Sequence, residues 1–293
     1  VLTAPDQLHV SYVHTPVRYA WDQMHAYLQR SALARSGLGP LIRYQLHALR
    51  QWDQLSAQRV DVLVANSRFT ARRIRKVWGR DAEVLAPPVA VDRFRWDQPR
   101  DDVYLCLCRL VPYKRVDLVV EAFNRLALPL LVVGDGPERS RLEQMAGPTV
   151  TILGRQSQQQ VEVLLSRCRA YVYAGLEDFG IAPVEAMASG APVIGLGRGG
   201  LLDTVRCAAS GMADATGVLF PDQTVDSLTE AVRWFERRQL WQVLDAAVLR
   251  QWAERFRPEA FAQRFDAILQ RAWTTHQHRC LRAASDPGGM LKL

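Results

Sequence analysis

From residue 102 onward the hydrophobic positions fall into short continuous runs, each followed by a stretch with helical spacing. VYLCLCRL precedes a helical pattern over 116–126, PLLVVG one over 137–146, TVTIL one over 158–168, AYVYA one from about 182, and PVIGL one over 200–208. Runs that are continuously apolar are buried on both faces, so this repeated βα unit predicts a parallel sheet wrapped by helices. Ligands of such sheets bind outside the carboxyl ends of the strands. The residues directly after each run are therefore the candidates for chemistry.

The first hundred residues carry the same pattern less completely. They read as a strand at LHVSYV (8–13), a long helical region over 21–57, a strand at RVDVLVA (59–65), a helix over 68–77 and a short run AEVLAPP. So few strands, with Val1 in place of Met, suggest that the opening of this domain is missing. Pro87 and Pro88, with the polar stretch to Arg100, read as an interdomain linker. FRPEAFAQRFDAILQRAW (256–273) places Phe261, Phe265, Ile268 and Leu269 at helical spacing behind Pro258. The expected organisation is a partial first domain over 1–98, a second domain over 99–254, a carboxy-terminal helix over 255–280 packing back toward the first domain, and a loose tail over 281–293.

Composition narrows the class. With 293 residues, 48% of them hydrophobic, the chain can bury enough surface for two domains. Its longest apolar runs, such as LALPLLVVG at 126–134, fall short of the ~20 residues of a membrane span. Five cysteines without a C-x-x-C pair read as structural thiols of a cytoplasmic protein. Neither H-E-x-x-H nor a D-x-D triplet occurs, so a tightly held metal is not expected. The net charge of +7 sits entirely in the first third: residues 1–100 hold 15 Lys and Arg against 8 Asp and Glu, the remainder 22 against 22. Such a face can meet anionic lipid, phosphorylated substrates or nucleic acid, although 34 Arg to 3 Lys also betrays a compositional bias. The absence of zinc-finger or RNP-type aromatic signatures argues against nucleic acid.

Four strand ends carry the chemistry. After VYLCLC come Arg109, Lys114 and Arg115, cations between a strand end and a helix start, an arrangement suited to phosphate. After PLLVVG, Gly134 and Gly136 permit close backbone approach, but Arg139 occupies the third position of G-x-G-x-x-G, which weakens a nicotinamide-binding reading. After AYVYA, EDFGIAPVE sets Glu177 and Glu185 eight residues apart. A helical path of that length rises about 12 Å, too far for a shared acid/base task over the roughly 5–9.5 Å of glycosidase pairs. Two separate acceptors for hydroxyl-rich groups fit better, with the amides of Phe179, Gly180 and Ile181 facing a phosphate. After PVIGL, Gly197, Gly199 and Gly200 again allow close approach.

Taken together, these blocks resemble the GT-B-fold retaining glycosyltransferases of family 4, especially bacterial mannosyltransferase-like members. The resemblance runs through HVSYVHTPVRYAWD, VANSRFTARRI, PPVAVDRF, CRLVPYKRVD, VVGDGPERSRLE and EDFGIAPVEAMASGAPVIG. It implies an α/β, two-domain GT-B fold of Rossmann-like parallel sheets, the amino-terminal one incomplete here. It further implies that Arg109 and Lys114 grip a donor diphosphate, that Glu177 holds the donor sugar, and that Glu185 accepts from ribose hydroxyls, with Gly134, Phe179, Gly180 and Ile181 in the donor site. His14 would face the transferred sugar, and Arg18, Tyr19, Trp21 and Asp22 would meet the acceptor. Asp203 replaces the family's Glu after Gly199 and Gly200 and is left out of the site. The implied activity moves a hexose, mannose by preference, from GDP-mannose as co-substrate to a glycan or lipid-linked acceptor, without cofactor or metal. The enzyme would be cytoplasmic, with peripheral contact to anionic membrane at the inner face of the plasma membrane. The rival readings are a nucleotide-sugar hydrolase or epimerase of the same fold and a catalytically silent sugar-nucleotide-binding fragment.

Overall fold

The computed structural model describes residues 2–4, 6–18, 20, 21, 24, 28 and 39–285. The chain divides into two units, residues 1–86 with 261–293, and residues 87–260.

The first unit is built on three parallel strands, β1 (Val10–Val13), β2 (Val62–Ala65) and β3 (Glu83–Val84), in that order. Helices α1 (Gly39–Gln58) and α2 (Arg68–Trp78) separate them. Ser67 starts α2 by accepting from the Thr70 amide at 2.9 Å, and Gly79, at φ 66°, ends it. Ile74 and Trp78 of α2 bury against Val13, Leu63 and Ala65 on one side of the sheet. Phe261, Phe265 and Ile268, from the carboxy-terminal helix Pro258–Ser285, pack with Tyr12, Val64 and Leu85 in a second cluster. The helical spacing read in the sequence thus supplies a core stripe.

Asp53 on α1 is a buried carboxylate in this unit. Its Oδ2 accepts from the indole N–H groups of both Trp21 and Trp78 at 2.8 Å. The two donors and the acceptor satisfy one another where water is excluded, so they lock α1 to α2 and to the chain entering α1.

The second unit holds six parallel strands: β4 (Tyr104–Leu107), β5 (Leu130–Val133), β6 (Val150–Gly154), β7 (Tyr171–Tyr173), β8 (Val193–Leu196) and β9 (Gly217–Phe220). Their spatial order is β6-β5-β4-β7-β8-β9. Helices α3 (Val116–Leu126), α4 (Arg139–Met145), α5 (Gln158–Arg167), α6 (Ile181–Ala188), α7 (Leu201–Thr204), α8 (Val225–Arg237), α9 (Leu240–Val243) and α10 (Ala246–Glu254) complete it. Every residue of β7 and β8 is buried, as continuously apolar runs require. The chain winds outward from β4 through β5 to β6, then returns to lay β7 beside β4 and winds the other way. The strand order therefore reverses between β4 and β7, which opens a crevice at their carboxyl ends.

The stretch from Pro87 to Arg100, read above as a linker, instead belongs to the second unit. Val89, Val91 and Phe94 are buried, the Val89 amide donates to the Phe256 carbonyl at 2.7 Å, and Arg250 donates to the Val91 carbonyl at 2.6 Å. Three apolar side chains and a half-buried guanidinium outweigh the polar look of the stretch. β9 is a strand that the hydrophobic pattern did not single out. Residues beyond 285 lie outside the described residues.

Asp53→Ala leaves two indole donors unsatisfied and is expected to destabilise the protein by about 2–4 kcal/mol, against a smaller loss for Asp53→Asn. Urea unfolding of the two variants, followed by tryptophan fluorescence, checks this.

Candidate active site

The loops after β4 and β7 meet at the crevice. The chain leaving β4 runs through a 3₁₀ turn, Pro112–Lys114, before Arg115 (φ 53°) turns it into α3. This loop is fixed from the side by the one after β5: the Leu110 amide donates to the Asp135 carbonyl at 2.9 Å and the Glu138 amide to the Leu110 carbonyl at 3.1 Å. Gly134 makes that stitching possible. A Cβ there would lie 1.8 Å from the Cys108 carbonyl oxygen, and the φ of 139° is one that side chains rarely adopt. On the other side of the crevice, the Gly200 amide donates to the Glu177 carbonyl at 2.8 Å and Gln223 Nε2 to the Ala174 carbonyl at 2.8 Å. The loops after β4 and β5 are thus joined through backbone groups, as are those after β7 and β8, and the loop after β9 is joined to the one after β7 by the Gln223 side chain.

Onto this frame the second unit places Lys114 and Glu177 in contact. Lys114 Nζ donates to Glu177 Oε1. Tyr173 Oη donates to the same oxygen at 2.5 Å. The ammonium lies 5.3 Å from the Tyr113 ring centre and 5.6 Å from that of Tyr173. The pair is sheltered, its side chains 15% and 21% exposed, so it is screened less than a surface pair. Burial first, then the Glu177 carboxylate, push the Tyr173 phenol far above its usual range, so it remains an O–H donor.

Arg109 is exposed, and its side chain has no hydrogen-bond partner among the described residues. Gly180, at φ 97°, stands at the N-cap of α6, where it has no side chain to cap the first turn, and no acid lies in that turn. Uncapped amides of this kind attract anions. Ile181 is exposed at the start of the helix, whereas the Phe179 ring is buried edge-on to Phe256, 5.6 Å between centres. Phe179 can therefore offer a ligand its backbone but not its ring.

Glu185 follows one turn into α6. Its carboxylate has no hydrogen-bond partner among the described residues, and burial raises its pKa above the ordinary 4.5, with Arg93 pulling it back and Glu162 pushing it further up. Arg93 itself donates to Glu162 Oε1 at 2.9 Å. A half-buried acid with nothing to accept from is costly to ionise.

The remaining candidates belong to other segments of the chain. His14 is exposed at the end of β1, edge-on to the Tyr12 ring at 5.4 Å, with its carbonyl accepting from Asn66 Nδ2 at 3.0 Å. Arg18 is half-buried and Trp21 is held by Asp53, both in the first unit. Tyr19 and Asp22 lie outside the described residues. Asp203 sits on α7, half-buried. The sequence reading missed Tyr173, Arg93 and Glu162. Tyr173 looks like one more apolar strand residue, and Arg93 and Glu162 belong to segments remote in the chain. Among the described residues no group of three or more His, Cys, Asp or Glu could hold a metal, and no helix is long and apolar enough to cross a membrane.

Solved structures with this architecture define the class. The UDP- and glucose-bound Anabaena Alr3699/HepE matches with a TM-score of 0.70 at 17% identity, over 90% of this chain and 72% of that one. Sucrose-phosphate synthase from Thermosynechococcus elongatus matches with a TM-score of 0.69 at 20% identity, over 91% and 68%. At such identities the likeness concerns the fold, which is the GT-B arrangement of parallel α/β units.

Residues 91–254, more than half of the chain, match the family described as glycosyl transferases group 1, and the chain belongs to it. Among curated relatives, the GDP-mannose-dependent alpha-(1-6)-phosphatidylinositol monomannoside mannosyltransferase of Mycolicibacterium smegmatis is 30% identical over 207 residues, 59% of this chain and 52% of its own. The GDP-mannose-dependent monoacylated alpha-(1-6)-phosphatidylinositol monomannoside mannosyltransferase of Corynebacterium glutamicum is 31% identical over 203 residues, 58% and 51%. The chain spans about half the length of these relatives.

The raised pKa of Glu185 has a definite consequence for stability. The folded protein favours the protonated acid, so a penalty appears as pH rises above 4.5 and is complete above the folded pKa. Glu185→Gln is expected to raise the Tm by a few degrees at neutral pH and to leave it unchanged near pH 4. Thermal melts across that range, without ligand, check both ends.

Proposed function

We propose that the chain carries the donor-binding machinery of a retaining glycosyltransferase, moving a hexose from a nucleoside diphosphate sugar to a glycan or lipid-linked acceptor. The observation that carries this reading is the Lys114–Glu177 pair at the reversal of strand order, beside exposed Arg109 and the uncapped start of α6. Cations and free amides suit a diphosphate, and a carboxylate suits sugar hydroxyls. Mannose with GDP is the preferred donor, on the printed activities of the two mannosyltransferase relatives.

Breaking the bond from the anomeric carbon to the diphosphate leaves negative charge on the departing oxygen and positive charge on the sugar ring. Arg109, Lys114 and the α6 amides oppose the first, taking the part a divalent cation would otherwise play. Glu177 orients the sugar through its hydroxyls, and Glu185 accepts from the ribose. The acceptor hydroxyl attacks from the face the diphosphate leaves and gives its proton to the departing phosphate oxygen, which retains the anomeric configuration. The roles of His14, Arg18, Tyr19, Trp21 and Asp22 toward sugar and acceptor rest on the family resemblance. The cationic first third suits a lipid-linked acceptor at an anionic membrane surface, in keeping with the phosphatidylinositol mannosides named for the relatives.

A thermal-shift panel of nucleotide sugars tests the reading, with GDP-mannose expected to stabilise most and Glu185→Gln to weaken every member. Arg109→Ala and Lys114→Ala are each expected to lower turnover by about 100-fold while far-UV circular dichroism stays unchanged. Turnover that survives EDTA is the expected result for charge neutralisation by side chains, measured as product formed with the preferred donor.

A further inference from the structure

Glu177 is tethered twice through one oxygen. Oε1 accepts both from Lys114 Nζ and from Tyr173 Oη. Oε2 has no partner among the described residues. Tyr173 is 1% exposed at the end of β7, and its ring stacks on Tyr171 at 6.4 Å and 11°. Tyr171 is itself anchored by a 3.0 Å bond from its hydroxyl to the Leu107 carbonyl on β4. The phenol therefore belongs to the rigid sheet, while the lysine sits on a loop.

Gly175 is what lets these groups meet. A Cβ at that position would lie 2.3 Å from Tyr173 Oη and 3.0 Å from the Lys114 Cα. Contacts that short are not tolerated, so any side chain there must push the phenol, the Lys114 backbone or both away from Glu177. Gly175 has no positive φ among the chain's left-handed residues, so its lack of a side chain serves space and not backbone conformation.

Resting on the donor-site reading above, we propose that Tyr173 is a positioning residue for the donor sugar, holding Glu177 in place when a bound diphosphate draws Lys114 away. A diphosphate that takes up donors of the Lys114 ammonium weakens its hold on Glu177. Without a second donor, Glu177 would lose its orienting partner at the moment the sugar must be held. With Tyr173 on Oε1, Oε2 keeps its direction and remains open to a sugar hydroxyl. The phenol reaches the substrate only through Glu177.

The test compares each nucleotide sugar with its own diphosphate, GDP-mannose with GDP and UDP-glucose with UDP, by calorimetric titration of the wild type and Tyr173→Phe. Phe keeps the ring and its stacking and removes only the hydroxyl. The expected result is unchanged affinity for the diphosphate, with a loss of about 10-fold in the additional affinity contributed by the sugar. Gly175→Ala, whose Cβ meets the Tyr173 hydroxyl and ring and the Lys114 backbone, should lower the affinity for diphosphate and nucleotide sugar alike. In a Glu177→Gln background, Tyr173→Phe should change the sugar's contribution less than in the wild type.

Retention of the full sugar contribution in Tyr173→Phe overturns the inference. So does an equal loss for diphosphate and nucleotide sugar, which would mark a purely structural residue. A wild type that binds the diphosphates but gains nothing from any sugar, or binds neither, overturns the donor-site reading itself.

Discussion

Everything proposed for this chain turns on one sheltered ion pair, between Lys114 and Glu177, residues 63 positions apart in the chain. They meet because β4 and β7 are neighbours in space though β5 and β6 intervene in sequence. The chain winds away from β4 in one direction and away from β7 in the other, and at such a reversal of strand order a crevice opens at the carboxyl ends of the strands. No other adjacent pair in the six-stranded sheet has this property. The placing of opposite charges in that crevice is therefore a consequence of strand order, and a different order would put the same residues on unrelated edges.

The frame around the pair is mostly backbone. Carbonyls and amides of four loops bond in two pairs, and Gly134 and Gly175 are small because main chain or a phenol occupies the space a side chain would need. A frame of this kind brings Lys114 and Glu177 together and leaves Arg109 exposed. Glu185 is the contrasting case. It is half-buried with no hydrogen-bond partner among the described residues, a state that is costly to keep ionised. Strain of this sort, concentrated where binding is expected, is the usual trade between stability and function.

The two units differ in how they keep their polar groups satisfied. In the first, Asp53 accepts from two tryptophans through Oδ2 and acts as an internal fastener. In the second, Glu177 likewise accepts twice through one oxygen, Oε1. Both are carboxylates in sheltered places, and burial alone would not tell them apart. The distinction lies in the donors, two neutral indoles for Asp53 against an ammonium and a phenol for Glu177.

The sequence by itself determined the repeated βα unit, the five strands from β4 to β8, the parallel sheet, and the placing of Arg109, Lys114, Glu177 and Glu185 after strand ends, because continuous apolar runs and the breaks after them are local signals. It missed β9, whose four residues open on a glycine, and it misread the stretch from Pro87 to Arg100, whose buried Val89, Val91 and Phe94 follow no regular period. Only the tertiary structure decided that Lys114 reaches Glu177, that Tyr173 is more than a core tyrosine, and that Arg93 and Glu162 act on Glu185. Those relations depend on which strands lie side by side, and adjacency between segments distant along the chain leaves no trace in local periodicity.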